Sequence, residues 1–203
     1  MVFAAQLIAL IVWPEGPPSV RVHVEAPLRP WSLDVADAAE ALLDPDVPTP
    51  GFRDDCSGFV SAVYTDAGIP MDGRVADLYA IAEARGLLYD DEVPAIGDLA
   101  FFDNTHDRNG DGAWNDPQTH IAVVLDVEPD GTIWLAHKGS ARARIAMNLF
   151  HPERHAADDG TVWNAWLRRA SPDDPRREYL TGQLWTSFAR VPPRVDWTEG
   201  SER

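Results

Sequence analysis

The chain has 203 residues, a formal net charge of −16 and a single cysteine. A surface that acidic repels nucleic acid and anionic lipid, which sets both aside as partners. One cysteine excludes an internal disulfide and a Cys-rich zinc site, and 45% hydrophobic with 25% charged residues fits one globular domain with a substantial core.

The first thirty residues stand apart. "VFAAQLIALIVW" (2–13) is nearly all apolar and too short to span a membrane. It resembles the apolar part of a secretory signal, although no Lys or Arg precedes it and no small-x-small cleavage site follows. The expected location is therefore periplasmic or secreted, and a buried strand is the other reading. Residues 14–30 are rich in proline and read as an extended arm. A single domain is expected over residues 31–203.

Helical spacing marks residues 31–43, with Ser32 placed as an N-cap. "CSGFVSAVYTDAG" (56–68) is the next helix and "RVADLYAIAEARG" (74–86) the third, each closed by a glycine. The texture then changes to β-branched and aromatic runs: "GDLAFF" (97–102), "HIAVVLDV" (120–127) and "TIWLAH" (132–137), with "EPDG" as the turn between the last two. Residues 161–167 and 182–191 read as two further strands. Helices first and antiparallel strands second is the α+β pattern, with N-terminal helices packed on a central sheet.

Cys56 falls where a loop becomes a helix. The unpaired amides and the helix dipole at that end favour a thiolate, while Asp54 and Asp55 oppose it unless one of them caps the helix. Ser57 and Gly58 are small and leave room for a substrate backbone near the sulfur. A lone cysteine without context is more often a buried structural thiol. Here the context is "DCSGFV", followed in order by "GDLAFF", "HIAVV" and "WLAHKGS".

That series resembles the NlpC-type cell-wall cysteine peptidases, a papain-like family, over about residues 51–140. The resemblance implies a papain-like fold with Cys56 as nucleophile, His120 as its base and His137 as the group that orients the base. It implies hydrolysis of an amide bond in bacterial peptidoglycan peptide through a thiol acyl-enzyme, with no cofactor needed for the chemistry. No tyrosine precedes Tyr64, so the tyrosine that family members carry upstream of the cysteine has no counterpart, and the second oxyanion donor is unassigned. Two other functions stay open: an amidase of the related CHAP group acting on another amide, and a binding module that grips cell-wall peptide without cutting it. The joint presence of Cys56, His120 and His137 argues against the latter.

The role of His137 depends on a turn. If Val127 pairs with Thr132, Ala122 faces His137, and His120 lies on the same sheet face as a diagonal neighbour. A three-residue loop ending in a glycine bulge, which "PDG" also permits, would set the two histidines on opposite faces. His23, His106, His151 and His155 read as ordinary.

Between the "GDLAFF" strand and His120 lies "DRNGDGAWND" (107–116). Asp107, Asn109 and Asp111 occupy positions 1, 3 and 5 of a calcium loop, Gly112 position 6, and Ala113 position 7, where a backbone carbonyl is the ligand. Position 12 departs from the pattern: Gln118 stands where a bidentate Glu is needed, and Asp116 or Asp103 is the substitute. A structural calcium ion is the expectation; a solvated Asp/Gly loop is the plainer reading.

Overall fold

The computed structural model describes residues 29–170 and 176–198. The apolar segment and all but the last two residues of the proline-rich arm lie outside them. Helix α1 spans Ser32–Leu43, α2 Cys56–Asp66 and α3 Val75–Ala84. The strands are β1 Leu88–Tyr89, β2 Leu99–Phe102, β3 His120–Val127, β4 Thr132–Lys138, β5 Arg142–Asn148 and β6 Trp185–Ala189, with the single-turn helix α4, Thr181–Leu184, just before β6. The fold is α+β. The described strands form one antiparallel sheet in the order β1-β6-β2-β3-β4-β5. No helix among the described residues is long and apolar enough to cross a membrane.

Alternation along the strands divides the core in two. Leu99, Phe101, Ile121, Val123 and Ala136 pack against the apolar faces of α1, α2 and α3. Ala100, Phe102, Ala122, Val124, Ile133, Leu135 and Met147 face the other way and are covered by loops, by Leu184 of α4 and by Trp114 of the acidic loop. α2 is the central helix, buried continuously from Ser57 to Tyr64.

Several local expectations are corrected. Ser32 lies inside the first turn of α1 rather than capping it; Trp31 is the N-cap, and the Ser32 hydroxyl accepts from the Arg29 amide at 3.1 Å. Residues 161–167 form isolated bridges, Ala156 with Val162 and Trp166 with Leu180, rather than a strand. The reason is Asn164, fully buried at the centre of the run. Its carboxamide accepts from the amides of Asn148 at 2.9 Å and Gly182 at 3.0 Å, and donates to the carbonyls of His151 at 2.8 Å and Arg154 at 2.9 Å. A side chain thus does the pairing that a ladder would do. Residues 182–191 open as the turn of α4, and the strand begins only at Trp185.

Strand β5 has no counterpart in the sequence reading. Only Ile145 in "RARIAMN" is a strong strand former, and the segment lies at an edge where the charged Arg142 and Arg144 are tolerated and block further pairing. It is held from outside: the Arg142 guanidinium donates to the carbonyls of Leu42, Asp44 and Val47 at 3.0, 3.2 and 2.7 Å and to the Thr49 hydroxyl at 3.1 Å. These carbonyls lie at and beyond the C-terminus of α1; the Asp44 carbonyl also accepts from the Val47 amide at 3.2 Å, and the cation serves all three.

Candidate active site

Cys56 is the first residue of α2, and the residues before it set its position. Asp55 is the N-cap, its Oδ1 accepting from the Gly58 amide at 2.7 Å and from the Ser57 hydroxyl at 2.8 Å. Gly58 is required by close approach: a Cβ there would stand 1.9 Å from the Arg53 carbonyl oxygen. The space beside Gly58 is therefore filled by the protein's own backbone, not left for a substrate as expected from its size. Arg53 ties the same loop to the start of α3, donating to Asp72 Oδ1 at 3.0 Å and, in a short contact, to the Gly73 carbonyl. Lys138, the last residue of β4 and the only lysine in the chain, donates from Nζ to the Asp54 carbonyl at 3.2 Å.

His120 opens β3 and His137 lies one residue from the end of β4. His120 Nε2 and His137 Nδ1 are 2.8 Å apart, with the rings edge to face at 79°. The two share a face, but not by the even loop on which that expectation rested. The hairpin turn is the three-residue loop Pro129-Asp130-Gly131: the Glu128 amide donates to the Thr132 carbonyl at 2.7 Å, and Gly131 has φ +86°. Val127 accordingly pairs with Ile133 rather than Thr132. A second irregularity between Val124 and Asp126 shifts the register back by one residue, so that Val124 pairs with Leu135 and Val123 with Ala136. One step further, Ala122 stands opposite His137. The odd turn and the bulge cancel. The side chains record it: Leu125 faces the helices, whereas Val127, two residues on, faces the opposite core.

By the same alternation the histidines lie on the loop-covered face with Ala122, Val124, Ile133 and Leu135. α2 packs on the other face, and its cysteine meets the strand at the start of β3, where the Ile121 amide is directed at the thiol. Cys56 is thus beside the His120–Ile121 peptide. The His120–His137 bond uses Nε2, which leaves Nδ1 of His120 as the ring nitrogen for a thiol. Among the described residues no hydrogen bond joins the Cys56 sulfur to His120.

Electrostatics favour neutral groups. Burial, and then the charge of Asp55, raises the Cys56 thiol above its ordinary range, against the partial support of the Ile121, Ser57 and Cys56 amides. The lowering expected from the helix start is reversed because burial penalises the thiolate more than those amides stabilise it. Burial, then His137 and His106, lowers His120 to about 3. Burial alone lowers His137 to about 4. At neutral pH the trio is thiol, imidazole, imidazole. No standing thiolate–imidazolium pair is favoured among the three.

The acidic loop is ordered by its own side chains. Asp107 accepts from the amides of Gly110 and Gly112 at 2.7 and 2.8 Å, Asn109 from Asp111 at 3.0 Å, and Asp111 from Ala113 at 2.7 Å. Asp116 is 2% exposed, and its backbone pairs with Asn104. Asp103 accepts from the Gln118 amide at 2.7 Å. Among the described residues no three Asp, Glu, His or Cys side chains gather as a metal group. Of the remaining histidines, His23 lies outside the described residues. His151 stacks on Trp163 at 4.1 Å and His155 Nδ1 lies 2.6 Å from the Asn164 carbonyl. The His106 ring lies 3.3 Å from the hydroxyl of its neighbour Thr105. Tyr64 is far from an oxyanion role: it is fully buried and donates to the Gly97 carbonyl at 2.9 Å.

The contact made by Lys138 escaped the sequence reading, although the residue carried a signal, being the only lysine and adjacent to His137. Comparison with models of known families, with curated proteins and with solved structures found no match to this chain.

Proposed function

We propose that the chain is a cysteine-dependent hydrolase of the NlpC type, papain-like in arrangement, that cleaves an amide bond in bacterial peptidoglycan peptide in the periplasm or outside the cell. The observation that carries the reading is the buried 2.8 Å contact between His120 and His137 at the end of the sheet where the Cys56 helix begins. The motif series "DCSGFV", "GDLAFF", "HIAVV" and "WLAHKGS" supplies the substrate class.

In this reading His120 Nδ1 takes the Cys56 proton as the sulfur attacks the carbonyl carbon. Its Nε2–H meanwhile donates to His137 Nδ1, which fixes the tautomer and the ring. The imidazolium then gives the proton to the leaving amine, and water hydrolyses the thioester by the same steps in reverse order. The Cys56 amide, directed at the sulfur, is the first oxyanion donor.

The proposal includes a calcium ion in the acidic loop. Each oxygen of Asp107, Asn109 and Asp111 that accepts a loop amide keeps a second lone pair for a cation. An ion there must displace the Asn109 and Asn115 carboxamides from Asp111 Oδ2, which they reach at 3.0 and 3.1 Å.

The deciding experiment is Cys56→Ala assayed on peptidoglycan fragments. Activity should vanish while the melting curve stays close to that of the parent, because the substitution removes one sulfur at a helix end. A variant that still releases peptide fragments rejects the hydrolase reading, since the chain has no other cysteine.

A further inference from the structure

Lys138 is the only lysine among 17 basic residues, and it is used where the two halves of the candidate site meet. Its side chain is 14% exposed, and Nζ lies 3.2 Å from Asp54 Oδ1 and 3.2 Å from the Asp54 carbonyl oxygen. The carboxylate half of this contact is weak, because the Asp54 side chain is 93% exposed and solvated. The carbonyl half is different. It belongs to the main chain one residue before the N-cap of α2 and two before Cys56, so a cation held there fixes the peptide that delivers the cysteine. At its other end Lys138 follows His137 directly on β4. One side chain therefore spans from the strand that carries the orienting histidine to the loop that carries the thiol. Arg53 and the Gly58 contact anchor residues 53–55 towards α2 and α3, while Arg142 of β5 holds the earlier part of the same loop at Val47 and Thr49.

We propose that Lys138 is a positioning residue that straps the Cys56 loop to the end of β4 and so sets the distance between the thiol and the histidine pair. It touches neither substrate nor the reacting sulfur. Arginine at this position keeps the charge and can reach the same carbonyl through one N–H. Methionine keeps the apolar stem and loses the bond. The proposal rests on Cys56, His120 and His137 acting together, but its first readouts do not depend on what the protein hydrolyses.

The test compares Lys138→Met, Lys138→Arg and Asp54→Ala with the parent. In Lys138→Met, amide hydrogen exchange should quicken across residues 54–59 and not in β3 or β4, and the pH profile of Cys56 alkylation should shift. On peptidoglycan fragments kcat should fall by roughly 10- to 100-fold with KM little changed, because misplacement by about 1 Å costs that much. Lys138→Arg should restore most of the exchange protection and of kcat. Asp54→Ala should behave like the parent, since the carbonyl survives it. If Lys138→Met proves poorly folded, the contrast between Lys138→Arg and Asp54→Ala decides: a damaged Asp54→Ala beside an intact Lys138→Arg places the effect on the carboxylate and overturns the strap. Exchange and alkylation in Lys138→Met equal to the parent also overturn it. Parent protein inactive on every amide tested, with altered exchange in Lys138→Met, would instead reject the hydrolase reading and leave the strap standing.

Discussion

At the scale of residues, the behaviour of the candidate site follows from how deeply its titratable groups are buried. His120 and His137 are 7% and 9% exposed, and both are held neutral well below the usual imidazole range. In the unfolded chain each binds a proton near pH 6.5, whereas in the folded state it resists doing so until about pH 3 or 4. The unfolded state therefore holds more protons between those limits. The contribution of the pair to stability is complete above about pH 6.5 and is lost as pH falls towards 4, by on the order of a few kcal/mol. Thermal melts from pH 8 to pH 4 should show that slope, and His137→Gln should flatten it; an equal slope in the variant would mean that other groups set it. The same variant tests role. His120→Ala should be nearly as damaging to hydrolysis as loss of Cys56, His137→Ala should cost less, and His137→Gln should recover part of the loss, because its amide oxygen still accepts the ring N–H of His120. A hydrolysis rate unchanged in His137→Ala would remove that residue from the site.

At the scale of elements, two segments carry more than their sequences suggest. The loop at 107–116 leads directly into β3, so whatever stiffens it also stiffens the approach to His120. Under the calcium proposal, adding calcium raises the melting temperature, since a ligand held only by the native state stabilises it. Asp107→Ala combined with Asp111→Ala should abolish the response, and a melt indifferent to both calcium and chelator would assign the loop to turn chemistry alone. The β3–β4 hairpin is the other segment. Its Gly131 lies in the left-handed region, and a Cβ there would come 2.3 Å from the Phe150 ring, so both the backbone and the space demand glycine. The odd turn that Gly131 permits is tolerable for the site only because the bulge between Val124 and Asp126 undoes it.

At the scale of the whole molecule, one sheet is clad by helices on one face and by loops on the other, and long-range polar ties join edges that would otherwise drift apart. Arg142 is the largest of these, joining the β5 edge to the chain after α1 through three carbonyls and a hydroxyl. Truncating it leaves those carbonyls without a charged donor at a partly buried site. Arg142→Met should cost about 2–4 kcal/mol, against about 1.5–3 for a single hydrogen bond to a charged group. In a domain of this size that lowers Tm by roughly 5–15 °C. Differential scanning calorimetry measures it, and a shift below one degree would show that β5 is held by its pairing with β4 alone. A second tie sits at the opposite side, where buried Asp98 takes short bonds from Arg29 and the Tyr89 hydroxyl. Asp98 belongs to "GDLAFF", so that motif anchors the sheet rather than contributing a reacting group.

The sequence by itself determined the three long helices to within a few residues, the strands over 97–102, 120–127 and 132–137, and the α+β class, because these segments have strong periodicity and local stop signals that need no partner to be read. It also placed Cys56 at a helix start with Asp55 able to cap it, a matter of four consecutive residues. What only the tertiary structure decided are quantities set by distant partners. β5 is a strand because β4 offers it an edge and Arg142 a hold, not because its own residues strongly favour extension. Residues 161–167 are no strand because Asn164 finds backbone partners in three other segments. The histidines meet because two one-residue irregularities cancel, and periodicity cannot reveal a cancellation. The thiol is raised rather than lowered because burial is a property of the packed molecule, and no helix-end rule contains it.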